Sequence, residues 1–290
     1  QDNADNQIST WADASTTWQM PGSDWDGGSR NDQFWHGDIV NFSGNGPATV
    51  NIATDGVKPA SLYISGSKDY TFTGGEITTD TSAANTSFEY RFGYTPKLGK
   101  LVLGKTASGS PPHPTETETA VTGTLKLEQT NSFEEGIDIY SGTLEAATRA
   151  QLGTDLTKLT FAGTGKLHLT ESMEFDSEGD NLNKLSIMWA SGEIELESGK
   201  TFTVKNNTVP FGDGGVINFT AKEHLGESLS FVTPDAANTT EPRFFFMGNK
   251  TSQHAGGVIY NAAGVFSISN VGFEDNHADY SSANGGVLYA

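Results

Sequence analysis

The sequence predicts an all-β protein, mainly a parallel β-solenoid (β-helix), with an irregular β cap or domain at its N-terminal end. Three observations point there. Short runs of β-branched and aromatic residues, closed by glycine, recur along most of the chain. Glycine supplies 34 of the 290 residues, well above the usual share of roughly 7%. Two words, Phe-x-x-Asn and Gly-Gly-Val-[Ile/Leu]-Tyr, recur in the same order after 27 and 29 residues. That spacing is close to one solenoid coil.

Taken in order, the first segment carries Trp11, Trp18, Trp25 and Trp35 among Asp24, Asp26 and Asp32. Strand patterns follow from Gly37 to Phe42, Ala48 to Ile52, Ala60 to Gly66 and Tyr70 to Thr78. Residues 104–120 read GKTASGSPPHPTETETA, and proline, small residues and alternating Thr-Glu cannot hold a core. The segment is long for a plain connection, so it reads as an exposed insertion or a boundary. The expected organisation is a Trp-rich cap and first β region (1–104), a Pro/Thr-rich loop or linker (105–120), and solenoid repeats (121–290).

Beyond residue 121 the strand patterns resume at Gly123 to Leu127, Gly136 to Glu145, Lys158 to Phe161, Gly165 to Leu169, Gly192 to Leu196, Thr201 to Val204 and Gly215 to Phe219. Only EAATRAQL, residues 145–152, looks helical, for one or two turns. The repeated words then appear as Phe246 to Asn249 with Gly256 to Tyr260, and Phe273 to Asn276 with Gly285 to Tyr289. Asparagine can stack between coils in a turn, and glycine lets the backbone bend sharply there.

Charge and composition exclude several classes. Seventeen basic against 36 acidic residues give −19, which argues against nucleic acid or an anionic membrane surface as partner. The absence of cysteine excludes disulfides, a thiol nucleophile and thiolate metal sites. No apolar run approaches the roughly 20 residues of a membrane span. The opening Gln-Asp-Asn-Ala-Asp has no signal-peptide pattern and is read as a mature end left by cleavage. Sequons at Asn41, Asn85, Asn206, Asn218, Asn238 and Asn249 arise easily in a chain this rich in Asn and Thr.

Residues 121–170 resemble the autotransporter-associated β-strand repeat. The matching parts are Gly123 to Leu127, Gly142 to Leu144, and Ala146 to Gly153. The Phe-x-x-Asn and Gly-Gly-Val-[Ile/Leu] words resemble the polymorphic outer-membrane protein repeat. The Trp-rich opening and Tyr70 to Gly75 are similar to the starts of such passengers. The resemblance covers about half the chain. It implies a parallel β-helix, secreted or displayed on the outer-membrane surface of a Gram-negative bacterium, often serving adhesion. No C-terminal membrane barrel is present, and the sequence stops inside a repeat word at Ala290, which is read as truncation of a longer protein.

Function is argued from a few residues. Trp11, Trp18, Trp25 and Trp35 could stack sugar rings, with the interleaved aspartates on hydroxyls, or could fill the first coil's core. Carboxylates are the abundant catalytic chemistry, but the Asp-Thr-Gly and Asp-Ser-Gly turns of aspartic proteases do not occur. The nearest words place Asp80 and Asp176 as catalytic candidates, and turn residues are the plainer reading. His168 alternates with Leu167 and Leu169 and should face outward. His254 and His277 follow the repeated words at unequal offsets and read as solvated. The clusters Asp24, Asp26, Asn31, Asp32 and Asp275, Asn276, Asp279 match no calcium loop. The expectation is a passenger-type protein that binds an extracellular or host glycoprotein or glycan such as mucin, needing no cofactor or metal. The alternative is a secreted glycoprotein-directed hydrolase of acid-active aspartic type.

Overall fold

The computed structural model describes residues 8–11, 17–18, 37–44, 48–79, 98–109, 114–121, 123–154, 156, 158–177, 185–209, 214–219, 228–234, 242–251, 256–261, 269–278 and 285–289. The side chains of residues 8–11 and 190 are outside the description. The chain is nearly all β, as expected, and its long ladders are parallel. It forms two compact units, residues 1–144 with 150–154, and residues 145–149 with 155–290.

In the first unit one parallel ladder joins Ile8–Trp11, Ile39–Phe42, Ser61–Ile64, Lys100–Leu103 and Gly136–Ile139. A second joins Thr17–Trp18, Thr49–Ile52, Tyr70–Gly74 and Thr124–Leu127. A third, short ladder pairs Ile77–Thr78 with Asn131–Ser132, and Val57 bridges to Ile77. The chain visits these ladders in the same order on successive passes. Alternation sets the core: Val40, Phe42, Leu62, Leu101, Leu103, Ile137 and Ile139 are buried on the first ladder, facing Val50, Phe72, Leu125 and Leu127 on the second. Each such side chain contributes about 1.5–3 kcal/mol by leaving water.

The other row of the first ladder is also buried, and a hairpin is the reason. Residues 105–120, expected as a loop or linker that is an exposed insertion or a boundary, contain two paired strands among their described residues. Lys105–Ser108 pairs antiparallel with Thr115–Glu118, and Ala107 packs into a small cluster with Ile39, Ala60, Tyr63, Leu98 and Val102. The segment is an insertion belonging to the first unit.

In the second unit Lys158–Leu169 pairs with Ser186–Leu196. Ser186–Leu196 pairs in turn with Ile217–Phe219 and Leu229–Val232, and the ladder continues through Ile259–Asn261 to Leu288–Tyr289. Two further parallel ladders join Met173–Asp176, Phe202–Lys205, Phe244–Met247 and Val271–Glu274, and Thr208–Val209, Lys250–Thr251 and His277–Ala278. Lys158–Leu169 was read as two strands. It is one, with register shifts between Phe161, Ala162 and Lys166. A helical turn, Arg149–Leu152, whose last three residues belong to the first unit, forms inside the segment expected to be helical. The apolar row includes Phe175, Phe202 and Phe244, with neighbouring ring centroids 5.8 and 6.2 Å apart.

The repeated words build the turns between these ladders. Asn207, Asn249 and Asn276 occupy equivalent places. The Asn249 Oδ1 accepts the Asn207 N–H at 3.0 Å, and the Asn276 Oδ1 accepts the Asn249 N–H at 2.9 Å. The residues just before them, Asn206, Gly248 and Asp275, have φ of 58°, 61° and 50°. Glycine and Asn/Asp are the residues that tolerate this left-handed region. The double glycine has two separate causes. Gly256 has φ 77°, and a Cβ there would lie 2.2 Å from the Ile259 carbonyl oxygen. A Cβ on Gly257 would lie 2.0 Å from the Gly286 carbonyl oxygen on the neighbouring pass.

Candidate functional site

The structure separates the residues singled out by sequence. Trp18 is 0% exposed and packs edge-on to Phe42 and Phe72, with centroids 5.5 and 6.3 Å away. Its ring presents no face to a sugar, so of the two roles the sequence offers Trp18 takes the core one. Trp11 lies in the first strand of its ladder, and its side chain is outside the description. Trp25, Trp35 and Asp80 lie outside the described residues.

Asp176 ends the strand Met173–Asp176 and faces Lys205 in register. Its Oδ2 is 3.1 Å from Lys205 Nζ, and its Oδ1 accepts a bond from Asn206 Nδ2 at 2.8 Å. Lys205 also reaches Glu174 at 3.1 Å, and these bonds to Glu174 and Asp176 raise its pKa. This carboxylate sits in a half-exposed charged row, held by Lys205 and Asn206.

Similar rows run along the outer face of the second unit. Lys166 lies 2.6 Å from Glu193 and 3.0 Å from Glu195. The bond to Glu193 drives its pKa up, burial opposes this, and Glu195 adds to the rise. Leu167 and Leu169 are buried, and His168 turns outward as expected, 3.5 Å from both Glu145 and Glu197. His277 is exposed and opposite Lys250. Asn276, one of the oxygen-rich cluster that matches no calcium loop, bonds the turns together. Among the described residues no three His, Asp or Glu side chains converge as a metal site.

One polar cluster among the described residues was not legible as a site. It lies where the hairpin meets the first ladder. Tyr63 Oη donates to Glu116 Oε1 at 3.0 Å, and Lys105 Nζ donates to Glu116 Oε2 at 3.0 Å. The Lys105 ammonium also lies 3.7 Å from the Tyr140 ring centroid, within cation–π range. Burial pushes the Tyr63 pKa up, and the Glu116 charge and hydrogen bond push it further, so the phenol stays a neutral donor. For Lys105 burial acts downward, but bonds to Tyr140 and Glu116 outweigh it and the pKa is raised. Nearby, Lys100 pairs with Asp138, which is 6% exposed and whose Oδ1 is buried without a partner. Only register could have exposed this cluster: Asn41, Tyr63, Val102 and Asp138 stand opposite one another on four strands. Chemically it offers fixed donors, acceptors and aromatic faces suited to holding a strand.

No protein-family model, curated protein or solved structure matches the chain.

Proposed function

We propose that the chain is a secreted or surface-displayed passenger-type β-solenoid that binds extracellular or host glycoprotein in an adhesin-like manner. The observation that carries this reading is the asparagine row Asn207, Asn249 and Asn276. It assigns the strongest repeat in the sequence to joining successive passes, which leaves the outward rows as the chemically variable surface. Those rows supply extended polar area with paired charges, the kind of surface on which repeat proteins bind partners.

The test incubates purified chain with mucin and with a plain protein from about pH 4 to 8, covering the range over which carboxylates titrate. Retention of mucin with no change in its size is the expected result. Discrete new peptides, lost in Asp176→Asn or Asp80→Asn, would replace this reading with the hydrolase.

A further inference from the structure

The hairpin Lys105–Ser108/Thr115–Glu118 is held as a ligand would be held. Asn41, 4% exposed on the first ladder, uses both ends of its carboxamide on one residue of the hairpin. Its Nδ2 donates to the Ala107 carbonyl at 2.9 Å, and its Oδ1 accepts the Ala107 N–H at 2.9 Å. These two bonds read peptide backbone, whatever the side chain. The Ala107 methyl is read by size, since it is 5% exposed among Ile39, Tyr63, Leu98 and Val102. Two residues earlier, the Lys105 ammonium lies 3.7 Å from the Tyr140 ring centroid of the seat, while its carboxylate partner Glu116 belongs to the hairpin itself. Backbone bonds combined with pockets for alternate side chains are how proteins recognise extended peptides.

The occupant is separable from the seat. Among the described residues both of its strands lie outside the parallel ladders and pair with each other. An isolated two-stranded hairpin is marginal in water, so the seat supplies most of its hold. Every residue of Thr115–Glu118 is exposed. At the base, Thr119 N–H donates to the Gly104 carbonyl at 2.9 Å, which continues the hairpin's own register and brings the two ends of the insertion together.

We propose that the seat formed by Asn41, Ile39, Tyr63, Val102 and Tyr140 is a binding site for an extended peptide segment of a partner protein. The segment would carry a basic residue two positions before a small one, and the chain's own hairpin is the resident occupant. A tethered occupant competes at an effective concentration in the millimolar range for a short flexible link, so an outside peptide binds only when the hairpin is displaced. The seat is a peptide site whether or not the chain retains glycoprotein, and its test uses peptides alone.

The probe is a labelled Gly-Lys-Thr-Ala-Ser-Gly amide, with Gly-Lys-Thr-Glu-Ser-Gly as control. Two proteins are compared with the parent: one with residues 105–118 replaced by two glycines, and full-length Ala107→Glu, whose hairpin cannot seat. Circular dichroism and thermal melts establish that each is folded. The expected result is peptide binding at least ten-fold tighter than to the parent, at least ten-fold loss on adding Asn41→Ala, and no binding of the control. A folded variant that binds both peptides equally, or neither, overturns the proposal. If the shortened chain does not fold, Ala107→Glu alone decides by the same criteria.

Discussion

The carboxamide of Asn249 donates to Asn276 Oδ1 at 3.0 Å while the backbone N–H of Asn249 donates to the same oxygen at 2.9 Å. The same side chain also donates to the Val204 carbonyl at 2.9 Å, and Asn249 is 0% exposed. No other residue type offers both a donor and an acceptor at this length and angle. Asn249→Ala is expected to cost about 2–4 kcal/mol, because the buried Asn207 N–H and Val204 carbonyl lose a partner. Asn249→Asp should cost a similar amount, since an ionised carboxylate cannot donate to Val204. Urea unfolding of both variants measures this, and a loss under 0.5 kcal/mol would refute the structural role.

The double glycine makes a second prediction. Gly257→Ala should destabilise by more than about 2 kcal/mol, because the methyl would meet the Gly286 carbonyl oxygen at 2.0 Å and the backbone must shift. Gly199→Ala is the comparison. That residue has φ 75° with nothing within 4 Å of a Cβ, so only the left-handed backbone cost of about 1–2 kcal/mol applies. Melting temperatures of the two variants should fall in that order.

Trp18 supplies a third. Trp18→Ala should lose about 3–5 kcal/mol of stability, the usual cost of removing a large buried ring. Trp18→Phe should fold and leave any glycan retention unchanged. Loss of retention in folded Trp18→Phe would restore a binding role to this ring.

Alkaline pH should loosen the hairpin. Tyr63 and Lys105 both have pKa values raised in the fold. A raised value means that the protonated form is favoured by folding. The stabilisation is therefore complete below the ordinary values near pH 10 and is lost as pH climbs through the folded ones. Proteolytic cleavage within residues 105–118, followed from about pH 8 to 11.5, should accelerate only at the upper end. Tyr63→Phe should cost about 1–3 kcal/mol, as expected for a hydrogen bond to a charged acceptor, and should flatten this profile. A pH-independent cleavage rate would contradict it.

Local pattern carried much of the fold and little of the site. Alternation of Leu125 with Leu127, or Leu167 with Leu169, marks a half-buried strand directly, and the repeated Asn and Gly-Gly words mark the turns. A third copy went unseen because Val204 stands where Phe246 and Phe273 do. Yet Gly214 follows Asn207 by seven residues, as Gly256 follows Asn249. The hairpin was hidden for a different reason. Its seat is assembled from Asn41, Tyr63, Val102 and Tyr140, which register brings together and sequence keeps far apart. The sequence left Trp18 open between a sugar platform and the core because its sequence neighbours are polar, while its packing partners Phe42 and Phe72 belong to later passes.

The two buried carboxamides at Asn41 and Asn249 sit within Asn-x-Ser/Thr triplets. In a eukaryotic secretory pathway, oligosaccharide is attached to such triplets as the chain is threaded into the lumen, before these slots close. A sugar on Asn249 would occupy the space that Asn276 and Val204 must fill, and one on Asn41 would keep Ala107 from docking. Material from yeast or insect cells would then be a mixture in which the glycosylated fraction cannot complete its turns. Bacterial expression, or conservative removal of Thr251 and Ser43, avoids that outcome.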